Sequence, residues 1–248
     1  GKSGLELVKD CLNPDLTTDM VFWNDGKFLV TGNKLDKNGK WQGLYIYDCE
    51  NNKSDFLLNL TDSYGYKSDD DFQKDFYSEL QYIGPDQYCD WVGDTIYHTW
   101  TGNILINKID IKTRKATSFG HKTGNYIPPY ITPELKQAHL EKQPEFILKT
   151  RSKMAYVRDL FIINSKTVAL TYVGPLKKNN GINVMLQLYT ESGEFIKEVE
   201  LLLNSKAGTS YELFFYFQKD SNLYYIMETE TSEKFDQVFN VYEYRVEE

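Results

Sequence analysis

One pattern recurs along the chain and fixes most of what it can become. A short apolar run is followed by a tight polar turn, a second apolar run, a gap, and an alternating run that ends in a charged hairpin. The first copy reads Met20-Val21-Phe22-Trp23, Asn24-Asp25-Gly26-Lys27, Phe28-Leu29-Val30-Thr31, with Gly43-Leu44-Tyr45-Ile46-Tyr47-Asp48 and Phe56-Leu57-Leu58 beyond. Three further copies follow over residues 88–115, 160–199 and 211–245. Strand-turn-strand units repeated at this length are the signature of radially repeated sheets. The expectation is an all-β fold: a β-propeller of four-stranded antiparallel blades with short inserted helices.

The repeat divides one domain, residues 1–248, into blades near 19–60, 87–119, 155–202 and 211–248. Asn24-Asp25-Gly26 is the best of the inner turns, because these residue types tolerate the positive φ of a close hairpin. The last unit stops after Tyr242-Glu243-Tyr244-Arg245 with no outermost strand of its own. Leu5-Glu6-Leu7-Val8 stands unused at the other end, so residues 4–9 are the expected closing strand that pairs with the last blade and covers both open edges. Blades ordinarily take about 40 to 45 residues. A divergent fifth blade within 62–84 or 122–150, or a ring continued outside the chain, therefore stays open beside a ring of four.

Two segments break the strand pattern. Phe72, Phe76 and Leu80 share one side of a short helix over residues 69–80. Thr132 ahead of Pro133 and Glu134 predicts a capped helix over 133–143. Residues 120–144 are otherwise the longest irregular stretch, and Pro128-Pro129 forbids regular ladder pairing there.

The formal charge of -8 argues against a nucleic-acid partner, which needs an excess of Lys and Arg. Lys149, Arg151, Lys153 and Arg158 are close in sequence and read as a solvated loop surface. No apolar stretch approaches the roughly 20 residues needed to span a bilayer. No signal peptide is visible from Gly1 onward, and a processed leader ahead of Gly1 is compatible with the sequence. Cys11, Cys49 and Cys89 form no zinc pattern and, being three, cannot all pair with one another. Asn52-Lys53-Ser54 and Asn59-Leu60-Thr61 match the glycosylation acceptor pattern.

The outer hairpin runs Leu44-Tyr45-Ile46-Tyr47-Asp48 and Val184-Met185-Leu186-Gln187-Leu188-Tyr189, the latter turning through Glu191-Ser192-Gly193-Glu194 into Phe195, carry a resemblance. With Phe119-Gly120 ending a blade before a proline-containing stretch, they resemble six-bladed propeller proteins of the TolB-like or NHL-like kind from gut Bacteroidetes. The resemblance covers residues 87–248 and consists of blade signatures, not a catalytic motif. Six-bladed members are usually longer than this chain. The resemblance implies an extracytoplasmic protein of the periplasm or cell surface, often lipid-anchored, with a binding or scaffolding role. It carries no catalytic residue onto this sequence.

The chemistry-bearing residues point the same way. His98, His121 and His139 have no second ligand at metal spacing, so no metal or other cofactor is expected, and His98 reads as a polar surface histidine. Asp90 and Asp94 flank Trp91, but four residues of extended strand hold them about 13 Å apart, too far for a glycosidase pair. Asp69-Asp70-Asp71 lacks the alternating oxygen ligands of a calcium loop. No phosphate loop or nucleophile elbow is present.

The remaining signal is aromatic. Trp91, Trp100, Tyr126 and Tyr130 lie at strand ends or in the inserted stretch, with His121 and Arg158 as polar neighbours. Such faces suit a glycan or a protein or peptide bound at one rim. Trp23 reads as core. Tyr126 and Tyr130 are expected at the rim because a Pro-flanked loop seldom contributes to blade packing. The expectation is a non-enzymatic binding propeller. The alternative is a glycan hydrolase or lyase, whose mark is two channel carboxylates within about 10 Å of each other, one with a raised pKa.

Overall fold

The alternating runs form strands because aromatic and β-branched side chains fit a pleated, half-buried surface better than a helix. The computed structural model describes residues 20–24, 27–35, 41–59, 86–177, 181–201, 203, 211–218, 222–231 and 237–245. The expected closing strand at 4–9, the helix at 69–80, the Asp25-Gly26 hairpin tip and the 62–84 stretch lie outside the described residues, as does Cys11.

Four antiparallel sheets follow one another in chain order. The first holds β1 (Met20–Asn24), β2 (Lys27–Leu35), β3 (Trp41–Asp48) and β4 (Lys53–Asn59). The second holds β5 (Gln87–Val92), β6 (Thr95–Trp100), β7 (Asn103–Asp110) and β8 (Ala116–Phe119). The third holds β9 (Tyr156–Ile163), β10 (Thr167–Val173), β11 (Val184–Thr190) and β12 (Phe195–Leu201). The fourth has three described strands, β13 (Tyr211–Gln218), β14 (Leu223–Thr231) and β15 (Gln237–Arg245).

Each sheet is a meander in which neighbours in sequence are neighbours in space, the arrangement of propeller-like blades. The expected inner pair is present: Met20 faces Val30 and Phe22 faces Phe28. The β9–β10 hairpin turns through Asn164 and Ser165, both at positive φ (48° and 58°), the backbone of the tight turn that matches strand twist.

Simple in-out alternation is lost in the third sheet because both of its faces are covered. Leu170, Tyr172, Met185 and Tyr189 pack with Tyr97, Ile104 and Ile106 of the second sheet. Ala169, Val173, Leu186 and Leu188, pointing the other way, pack with Tyr224 and Ile226 of the fourth. On its far side the second sheet lays Ile96, Trp100 and Ile109 against Leu29, Leu44 and Ile46 of the first. The cores therefore lie between successive sheets. Burying a Leu or Ile side chain there stabilises by about 1.5–3 kcal/mol. Phe28, Val30, Tyr45 and Tyr47 on the outer face of the first sheet are also buried, whereas Phe214, Tyr216 and Val241 on the outer face of the fourth are exposed.

Cys49 is disulfide-bonded, and Cys89 is a half-buried cysteine packed against the core between the first two sheets.

Candidate functional site

Between β8 and β9 the chain leaves the sheets for 36 residues and returns, and this excursion (120–155) holds three of the six candidate site residues, His121, Tyr126 and Tyr130. Its first part is tied down by a single carboxylate. Glu198, on β12, accepts from Tyr172 Oη at 2.7 Å, Gln187 Nε2 at 2.7 Å, Thr123 Oγ1 at 2.9 Å and Asn125 Nδ2 at 2.9 Å. Burial pushes its pKa up, but these four hydrogen bonds outweigh burial and hold it below the ordinary carboxylate range. Gln187 Nε2 also donates to the His121 carbonyl, and His121 N donates to Tyr189 Oη, both at 3.0 Å. Residues 121–125 are thus clamped onto the third sheet. The sequence gives no hint of Glu198, because a Glu in Ile196-Lys197-Glu198-Val199 looks like any solvent-facing position of an outer strand.

The second part forms two helices. Helix α1 (Pro133–Leu140) starts as expected: Pro133 opens it and the Thr132 side chain accepts from Leu135 N at 3.2 Å. Its Leu135 and Ala138 are buried, Leu135 in the core between the first two sheets. Helix α2 (Pro144–Arg151) was not expected, and it changes the reading of the basic run. Lys149 and Arg151 lie in its last turn, where cations suit the exposed carbonyl ends, and the Arg151 guanidinium lies 5.2 Å from the Tyr156 ring centre. No side chain of α2 is fully buried. Between the helices lies an open cleft of about 460 Å³, lined by Pro133, Ala138 and Phe146 together with Glu134 and Glu141.

The six candidate residues fall in different places. Tyr126 is only 4 % exposed and packs edge-on against Tyr172 at 5.4 Å in the core between the second and third sheets. The expectation that a Pro-flanked loop keeps its rings out of blade packing is corrected for this residue, whose hydroxyl pKa is raised by burial. Trp100 is 7 % exposed, and its indole lies so close to Gly102 that a Cβ there would fall 2.1 Å from the ring. Trp91 is half-buried against the same core as Trp100. Tyr130 is 43 % exposed. His121 is exposed and stacks on Phe195 with ring centres 4.0 Å apart. Arg158 is half-buried on β9, at the register shift where Thr171 pairs with Asp159 and Tyr172 with Val157, so it is the extra residue of a β-bulge. Burial raises the pKa of the Tyr156 hydroxyl, and the cations of Arg151 and Arg158 act against it.

Asp90 and Asp94 do not converge. Asp94 is exposed and ion-paired with Lys112 at 2.5 Å. Asp90 is buried and accepts from Trp91 N and from Ile162 N, each at 2.8 Å, so it brackets β5 to β9. A different pair arises instead. Asp159 on β9 is pushed up to about 7, chiefly by burial and further by the charge of Asp90, against hydrogen bonds from Leu160 N and Tyr224 that act the other way. Tyr224 is buried, with its hydroxyl oxygen 3.0 Å from Thr171 Oγ1. Sequence spacing offered no route to a pair that joins two sheets.

His98 is a second correction. It is fully buried, with Nε2 2.7 Å from Gln87 Oε1, and burial pushes its pKa down to about 3, so it is neutral. Among the described residues no three His, Cys, Asp or Glu side chains converge on a point that a metal ion would occupy. No helix of the described residues is long and apolar enough to cross a membrane.

No family model matches the chain, and no curated protein matches it. Among solved structures it is similar to the catalytic domain of a GH62 α-L-arabinofuranosidase from Coprinopsis cinerea, with 14 % identity and a TM-score of 0.43 over 92 % of this chain and 64 % of that one. It is also similar to the β-propeller domain of the Trilobed protease from Pyrococcus furiosus, with 12 % identity and a TM-score of 0.39 over 90 % and 51 %. The chain spans less than two thirds of each. These are weak likenesses to β-propeller and β-sheet proteins that are unrelated to one another, and they carry no argument about activity.

Proposed function

We propose that this protein is a non-enzymatic, propeller-like binding module that recognises a glycan or a protein through the face built by residues 120–153. The observation that carries the reading is where that excursion puts its apolar side chains. Ile127, Tyr130, Leu140, Phe146 and Leu148 are all 41 % exposed or more within one short segment, and Phe146 lines the cleft. A chain that buries Tyr126, Leu135 and Ala138 from the same segment has the means to bury the others, and exposed apolar groups gathered on one face mark interaction surfaces. Tyr130, His121 and Arg158 are the proposed polar and aromatic contacts, while Tyr126, Trp91 and Trp100 hold the scaffold.

The disulfide at Cys49 supports an extracytoplasmic setting, since disulfides persist in oxidising compartments. The blade signatures support a place among TolB-like or NHL-like propellers, with residues 1–248 as one domain and 4–9 as its closing strand. Arrays of glycans and of peptides, probed with the intact protein, test the reading. Tyr130→Ala and Arg158→Ala should each weaken the selected ligand about tenfold, about 1.4 kcal/mol, with little change in melting temperature. Unchanged binding by both variants would remove the assignment.

A second reading rests on Asp159, whose raised pKa beside Asp90 is what a general acid on a glycan needs. Under that reading, turnover of glycoside substrates is measurable and Asp159→Asn abolishes it.

A further inference from the structure

The cleft between α1 and α2 has a chemistry of its own. Its apolar wall is made by Pro133, Ala138 and Phe146. The charged side chains that line it are Glu134 and Glu141, and no Lys or Arg lines it. Glu134 is held below the ordinary carboxylate range by its own backbone N–H and by the Thr132 hydroxyl at the start of α1. Glu141 is fixed between the side-chain amides of Gln137 and Gln143, both donating to its carboxylate. Two carboxylates are therefore held in place beside an apolar wall. Helix α2 has no fully buried side chain and exposes Phe146 and Leu148. Two turns of helix gain little from propensity alone, so a partner seated in the cleft adds contacts that the helix lacks.

From these features we infer that the α1–α2 cleft binds a peptide segment in which a lysine or arginine stands beside apolar side chains. The cation answers Glu134 and Glu141, and the neighbouring apolar groups cover Phe146 and Ala138. The volume of about 460 Å³ accommodates a few side chains, within the range of specific sites. An acidic glycan is disfavoured by the two carboxylates, and a neutral one would leave both carboxylates without a counter-charge. This inference rests on the 120–153 face being the binding face and adds the chemistry of the ligand.

The test uses the intact protein and fluorescein-labelled octapeptides that place Lys or Arg beside Leu or Phe, with matched sets carrying Glu or Gln at the cationic position. Fluorescence anisotropy is read at low and high salt, and circular dichroism confirms that each variant is folded. The expected result is binding of the cationic set alone, weakened by salt. The Glu134→Gln, Glu141→Gln double variant should lose about tenfold in affinity and most of the salt dependence, and Phe146→Ser should lose a similar amount. Equal binding of the Glu and Gln sets would overturn the inference. Two further results would overturn it while leaving the binding face intact. One is a neutral glycan whose binding is lost in Phe146→Ser but untouched by the charge variants. The other is self-association that Phe146→Ser abolishes, which would make a second copy of the chain the occupant. If no peptide and no glycan binds, and hydrogen exchange over 120–153 never changes, the binding-face reading falls as well.

Discussion

Asp159 offers a sharp quantitative test of the packing between the third and fourth sheets. Its carboxyl has an ordinary pKa of 3.8 and is raised to about 7 in the fold, with burial as the main cause. A raised pKa means that the folded state favours the protonated form. The stabilisation is therefore complete below the unfolded value and is lost as pH rises towards the folded one. A shift of about 3 units corresponds to about 4 kcal/mol over the whole range, of which about 2.5 kcal/mol falls between pH 5 and pH 8. These figures are ceilings, since the side chain is half-buried and keeps some contact with water. Asp159→Asn keeps the shape and removes the titration. Urea unfolding followed by tryptophan fluorescence should show the variant gaining on the parent between pH 5 and pH 8 by a sizeable part of that 2.5 kcal/mol. The comparison cancels carboxylates of opposite sign such as Asp48 and Asp110, whose pKa values are lowered by hydrogen bonds from Asn51 and Thr113. Parallel stability curves for the two proteins would show that Asp159 is solvated, and the description of this interface would be wrong.

Glu198→Ala should cost about 2–3 kcal/mol, because Tyr172 loses the carboxylate it donates to and Gln187 loses one of its two acceptors, and should open residues 121–125 to limited proteolysis. The stabilisation from Glu198 is present above its unfolded pKa of 4.5 and is lost as pH falls through the lowered folded value, so the gap between parent and variant should close in acid. Gly193→Ala should destabilise by more than about 1 kcal/mol in thermal unfolding: φ there is 93°, and the added Cβ would lie 2.7 Å from the Phe119 ring. Thiol titration of the denatured, unreduced protein should label Cys89 and leave Cys49 unlabelled, while full reduction should lower the melting temperature by the equivalent of about 2–4 kcal/mol.

What the sequence revealed and what it hid divide along the range of the interactions. Strand pairing within a blade is local, so Met20 to Trp23 against Phe28 to Thr31 was legible from alternation and turn residues, as was the helix start at Thr132-Pro133-Glu134. Contacts between sheets left no such trace. Tyr126 meets Tyr172, Glu198 meets Thr123, and Asp90 meets Ile162 across 46 to 75 positions of sequence, and no periodicity reports that. His98 was misplaced for a related reason: alternation gives its face but not the sheet that covers it. Helix α2 was hidden because Pro144 follows a run of polar residues and the helix buries no apolar stripe.

The central claim is that recognition belongs to the excursion between β8 and β9 and not to the inner strands. Hydrogen–deuterium exchange of the intact protein, with and without a ligand selected on the arrays, tests it most directly. The account predicts slowed exchange across residues 127–151 on binding, with β5 and β10 unchanged. Slowed exchange confined to the segments around Asp90 and Asp159, with 127–151 unaffected, would contradict it and place the site at the inner-strand carboxylates.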